Sequence, residues 1–145
     1  MGQALKMRSV LTSLYFLCAL VLLIFALNTA AQFYWLYSRF SWLDAVLHLL
    51  AGVWLACAFL RWAERRAEFE SLAKNRLFLI IMVVAVVALV GVFWEIYELG
   101  TDIVFGNQNS IWKQANGLPD TLNDLFFDLF GSALAATVIV FSTRK

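Results

Sequence analysis

LFLIIMVVAVVALVGVFW, residues 77–94, is a run of apolar and small residues with no charge, and Glu95, Glu98 and Asp102 follow it directly. An uncharged stretch of this length reads as a membrane-spanning helix, since a span needs about 20 mostly apolar residues. Three acids at its end, spaced i, i+3 and i+7, fall in one stripe if the helix continues. Three more runs have the same character. They cover about 10–35, 42–62 and 121–141, with the quoted run extending to about 77–97. Several carry aromatics near their ends, as anchors at the membrane interface do.

The whole chain supports this reading. It has 145 residues, 63% of them hydrophobic, and a mean hydropathy of +0.79. That is too apolar for an ordinary soluble domain. The expected architecture is all-α, a four-transmembrane-helix bundle forming one membrane domain over residues 1–145. A net charge of +1 implies no nucleic-acid partner. Cys18 and Cys57 both fall in apolar runs, where thiols act as packing residues more often than as ligands. The first run has some features of a signal peptide: Lys6 and Arg8 precede it, and Thr29-Ala30-Ala31 resembles a cleavage site. Its apolar stretch is longer than the usual leader core, so it reads as a retained helix.

Basic residues set the expected orientation. Lys6, Arg8, Arg61, Arg65, Arg66, Lys74, Arg76, Arg144 and Lys145 would share one side, against Arg39 and Lys113 on the other. The positive-inside rule then makes both termini cytoplasmic, in the inner membrane of the cell. The 61–76 connection, rich in both charge signs, reads as a short water-exposed helical link. Residues 100–120 read as an outer loop, with Pro119-Asp120-Thr121 turning into a capped helix.

This topology gathers the acids. Asp44 and His48 (i, i+4) open the second helix from the outer side. Glu95, Glu98 and Asp102 close the third. Asp120, Asp124 and Asp128 open the fourth, with Asp128 roughly 12 Å deeper than Asp120. Seven of the ten acids thus lie at one level on three helices. An ionised carboxylate at the centre of a membrane helix costs roughly 2.5–3.5 kcal/mol on insertion scales. Three arrangements make such a cluster tolerable: bound cations, shared protons, or exposure of several acids to water.

A divalent metal is the simplest, with His48, Glu95, Glu98, Asp124 and Asp128 as ligand candidates. Asp44, Asp102 and Asp120 form an outer shell, nearer to water; Asp120 also suits a plain helix cap. Oxygen ligands with one imidazole suit Mg²⁺, Mn²⁺ or Ca²⁺ and accept Fe²⁺ or Zn²⁺. Gly52, Ala56, Gly91, Gly131-Ser132-Ala133 and Ala135-Ala136 permit close helix approach, which would draw the acidic ends together.

Asp44-x-x-x-His48-x-x-x-Gly52, Trp94-Glu95-x-x-Glu98 and Asp120-Thr121-x-x-Asp124-x-x-x-Asp128-x-x-Gly131 resemble the pattern of the YjdF-like and VanZ-like small integral membrane proteins. The similarity covers the last three helices. It departs at Asp128, where related sequences often have Asn, and the chain is shorter than many members. The resemblance implies a compact multi-span bundle with polar residues at one membrane face. VanZ-like members are associated with glycopeptide-antibiotic tolerance, which implies a connection to envelope lipids or wall precursors.

Three functions compete. The first is a metal-dependent hydrolase or transferase acting on a lipid or lipid-linked head group, with Glu95 and Asp124 as candidates for the catalytic base. The second is a non-enzymatic envelope accessory protein whose metal staples the helices. The third is an ion or proton carrier, for which the apolar inner half offers no route. Nothing in the sequence specifies an oligomer.

Overall fold

The computed structural model describes residues 10–66, 74–105 and 117–142, all of them in helices or the turns beside them. The tails, residues 67–73 of the basic connection and residues 106–116, which include Lys113, lie outside the described residues. Four helices are long and apolar enough to cross a membrane. They are α1 (Leu14–Phe33), α3 (Trp42–Ala63), α4 (Arg76–Phe105) and α5 (Leu118–Ser142), with a short α2 (Leu36–Arg39) between the first two.

The helix ends differ from the expected ones for local reasons. Residues Val10–Thr12 form a 3-10 turn, and α1 proper begins after Ser13, whose hydroxyl accepts the Phe16 N–H at 3.2 Å. At the other end the chain bends at Trp35, a non-glycine residue with φ 55°. The Asn75 side chain caps α4, accepting the Phe78 N–H at 3.1 Å. That helix runs eight residues beyond the expected Tyr97, because Ile103, Val104 and Phe105 continue its apolar surface. Its 30 residues span ~45 Å at 1.5 Å each, the depth of a bilayer with its head groups. Asp102 therefore lies on a helix rather than in a loop.

At the start of α5, Asp120 is not the cap. The helix begins at Leu118, after Gly117 with φ +98°, and Pro119 occupies its first turn. A proline is tolerated there because the first N–H groups have no intrahelical partner.

The bundle is centred on α3 and α5, its most extensive contact; α4 packs on α5, and α1 leans on α3. The apolar core lies toward the basic end, around Ala56, Cys57, Leu60, Val83, Ala136 and Ile139. Arg61 donates to the Thr12 carbonyl at 2.7 Å, and Arg76 lies over the Phe141 ring. The first and last described residues are thus at the same end of the bundle as the basic groups. The acids are at the other end.

Candidate metal centre

Two glycines set the spacing of the helices that carry the site. A Cβ on Gly52 of α3 would collide with the Asp128 backbone carbonyl on α5. A Cβ on Gly131 of α5 would collide with the Leu49 carbonyl on α3. Only hydrogen fits at either point, so the two backbones pass at the closest distance helices allow. This contact carries His48 and Asp128 to each other one turn away. Gly91 on α4 does the same for a side chain: a Cβ there would lie 2.9 Å from Asp128 Oδ2.

That oxygen lies 3.4 Å from His48 Nδ1. On the other side of the ring, His48 Nε2 is 3.9 Å from Asp44 Oδ1. The imidazole therefore has a carboxylate facing each nitrogen. His48, Asp124 and Asp128 are 7%, 1% and 4% exposed, so these are interior groups.

Two sets of donor atoms converge on the histidine. One atom each from Asp44, His48 and Asp124 lie within 4.8 Å of one another, and so do atoms of His48, Glu95 and Glu98. Ligands about a common cation at roughly 2.0–2.6 Å are separated by no more than about twice that distance. The 4.8 Å bound on both sets meets this limit for the longer bonds and exceeds it for the shortest. Asp128 belongs to neither and instead faces Nδ1, the place of a carboxylate that orients a ligating imidazole. Asp44, expected in an outer shell, contributes an atom to the first of these sets.

Hydrogen bonds satisfy part of the cluster. Trp94 Nε1 donates to Glu98 Oε1 at 2.8 Å, and the Glu95 carboxylate accepts from Thr121. Asp124 Oδ1 and Glu95 Oε1 are buried and have no hydrogen-bond partner. Asp102 and Asp120 are half-buried at the rim. Arg39, on α2, is the only Lys or Arg among the described residues at this end, and it is exposed.

Sequence reasoning missed α2 and the groups it brings. Tyr37 folds back over the site and donates its hydroxyl to Asn28 Oδ1 at 2.5 Å. Burial raises its pKa above the ordinary tyrosine range, and the charges of Asp44, Glu98 and Asp124 raise it further. It therefore remains a protonated donor. The polar Asn28 near the end of an apolar helix was the available signal.

A family model described as "Predicted membrane protein (DUF2238)" matches residues 4–145. The chain belongs to this family. A relative from Thermotoga maritima, described as "Uncharacterized protein", is 26% identical over 116 residues. The match covers 80% of this chain and 57% of the relative, so the chain spans little more than half of that protein's length. No solved structure matches. As a DUF2238 member the chain is a membrane protein, in keeping with its four long apolar helices.

Proposed function

We propose that the cluster around His48 binds a divalent cation, and that the protein is a metal-dependent membrane enzyme acting on the polar head of a lipid or lipid-linked envelope precursor. One observation carries the reading: Asp124 Oδ1 is buried without a partner, beside two donor sets that share His48. An unpaired carboxylate oxygen in such a place costs several kcal/mol unless it is protonated or ligated. A bound divalent cation would supply charge neutralisation for a phosphate and a water of lowered pKa.

The residues then divide the work. His48, Asp44 and Asp124 hold the ion, and Asp128 fixes the His48 ring through Nδ1. Glu95, half-buried with one free oxygen, accepts the proton of the attacking water. In hydrolysis the water oxygen bonds to phosphorus, the bond to the departing alcohol breaks, and that alcohol recovers a proton. The resemblance to YjdF-like and VanZ-like proteins favours an envelope substrate. The charge pattern favours cytoplasmic termini in an inner membrane, with the cluster outward. Labelling of Lys113→Cys but not Lys74→Cys by an impermeant thiol reagent tests that orientation.

The accessory reading keeps the same ion as a staple, favoured by donors arriving from α3, α4 and α5 together. A carrier is disfavoured because the described core beneath the cluster is apolar apart from Cys57 and Ser132. The deciding experiment is elemental analysis of purified protein, with melting curves under chelator, Mg²⁺, Mn²⁺, Ca²⁺ and Zn²⁺. Binding to the folded form alone raises the midpoint by mass action. Absence of any shift, with no metal in the protein, sinks the reading and leaves shared protons as the account.

A further inference from the structure

A cavity of about 360 Å³ lies between α1, α3 and α4. That is within the roughly 300–1,000 Å³ of small-molecule sites. Its two ends differ in chemistry. One is lined by Asn28, Tyr37, Asp44, His48, Glu98 and Asp128, the edge of the metal centre. The other is lined by Val21, Ile24, Leu55 and Val90.

The cavity is long in one direction. From Glu98 to Val90 on α4, and from Asp44 to Leu55 on α3, the helix rise gives ~12–16 Å. Half of a hydrocarbon core of ~30 Å is about the same depth. With its polar end at head-group depth, the apolar end would reach about mid-bilayer.

Its wall is open on one side. α1 packs on α3, and α4 on α5 and α3, without an extensive α1–α4 contact. Four lining residues are also surface residues: Val21 is 37% exposed, Phe25 68%, Val90 40% and Trp94 44%. The opening therefore includes the flank between α1 and α4, the side a membrane protein turns to lipid. On the opposite wall, Trp54 also lines the cavity, and its indole N–H is tied to the Leu17 carbonyl at 2.8 Å. Among the described residues, no buried side-chain polar atom on that wall lacks a partner.

We propose that this cleft holds one hydrocarbon chain of a membrane phospholipid, admitted sideways between α1 and α4, with its phosphate head against the His48 cluster. The head-group half of this statement rests on the proposed cation, since a phosphate would otherwise meet bare carboxylates. The chain half rests on lining, depth and lateral opening alone. A water-soluble ligand has no use for an apolar slot one leaflet deep with its opening toward lipid.

The test is photo-crosslinking of the full chain in phosphatidylglycerol vesicles doped with phosphatidylglycerol carrying a mid-chain diazirine. Adducts are expected at Val21, Ile24, Leu55 and Val90 in excess over Leu22 and Phe126, which are 66% and 59% exposed on ordinary lipid-facing surface. Ile24→Trp and Ala51→Phe fill the cleft from different walls. Each should remove the cavity adducts, keep those at Leu22 and Phe126, and keep the metal-dependent rise in melting temperature, which also shows that the variant folds.

Adducts that simply follow exposure, or cavity adducts that survive both fillings, overturn the proposal. Loss of the metal shift in wild-type protein with cavity adducts retained overturns the metal reading and the head-group placement with it. A retained metal shift without cavity adducts overturns the cleft alone.

Discussion

The seam between α3 and α5 and the seat of α1 on α3 are built by opposite means. The seam is a backbone contact: Gly52 and Gly131 each leave room for a carbonyl of the other helix, and Ala56, Ser132 and Ala136 behind them are fully buried. The seat is a side-chain contact: Trp54 and Arg61 reach across to carbonyls at Leu17 and Thr12, while α1 itself buries only Leu17 and Ala31. The first arrangement leaves no room between the two backbones, so it fixes how far apart the groups beside it sit. The second holds a helix in place at two points and leaves a gap beside it. The carboxylate–histidine cluster lies on the first and the cavity between α1, α3 and α4 on the second.

The largest effect should come from closing the seam. Gly52→Ala and Gly131→Ala push a methyl group into a backbone carbonyl, and each should cost about 1–3 kcal/mol. Gly100→Ala, with nothing within 4 Å of the added carbon, should be neutral or slightly stabilising, because alanine favours helix by ~1 kcal/mol. Unfolding curves in detergent read all three. Equal midpoints for the three variants would break the contrast.

Next come the groups the seam positions. Asp128→Asn should weaken divalent-metal binding roughly 10–100-fold by releasing the His48 ring. His48→Ala and Asp124→Asn should weaken it at least as much, and Asp102→Asn much less. Metal titrations followed by melting temperature give the order. A wild-type-like affinity for Asp128→Asn removes its orienting role.

A smaller effect is expected at the seat of α1. Trp54→Phe deletes one hydrogen bond, worth roughly 0.5–1.5 kcal/mol. Hydrogen exchange should quicken in α1 and stay unchanged in α3 and α5. Uniform quickening would show that α1 is as much part of the rigid unit as the seam.

The smallest effect is a pH dependence at the basic end. Glu64 is half-buried, and Oε1 has no hydrogen-bond partner. Burial raises its pKa from 4.5 to about 7, against the opposing pull of Arg61 and Arg65. Between these values the folded chain keeps a proton that the unfolded chain has released. Its contribution is therefore most favourable below the lower value, declines as pH rises toward the upper one, and is flat above it. Glu64→Gln should flatten that slope. An unchanged slope assigns it to other groups.

The spans were legible because membrane insertion depends on local composition: eighteen uncharged residues before Glu95 leave little alternative. So was the convergence of the acids on one end, since helical spacing and alternating direction are properties of the chain. The left-handed turn at Trp35 had no such signal. No glycine marks it, so α2 and Tyr37 went unseen, and the polar Asn28 that receives Tyr37 went unread in its apolar run.

From the chain alone come four apolar helices and a shared level for His48 and the carboxylates on three of them. Those follow from hydrophobicity and a fixed rise per residue, which neighbours do not alter. Only packing decided that Asp128 faces Nδ1 while Asp44 joins the donor group, and that Asp124 is left with an unpartnered oxygen. Helical spacing places a residue on a face, but the rotation of each helix about its own axis is set by where backbones can touch. In this protein that is decided at Gly52 and Gly131.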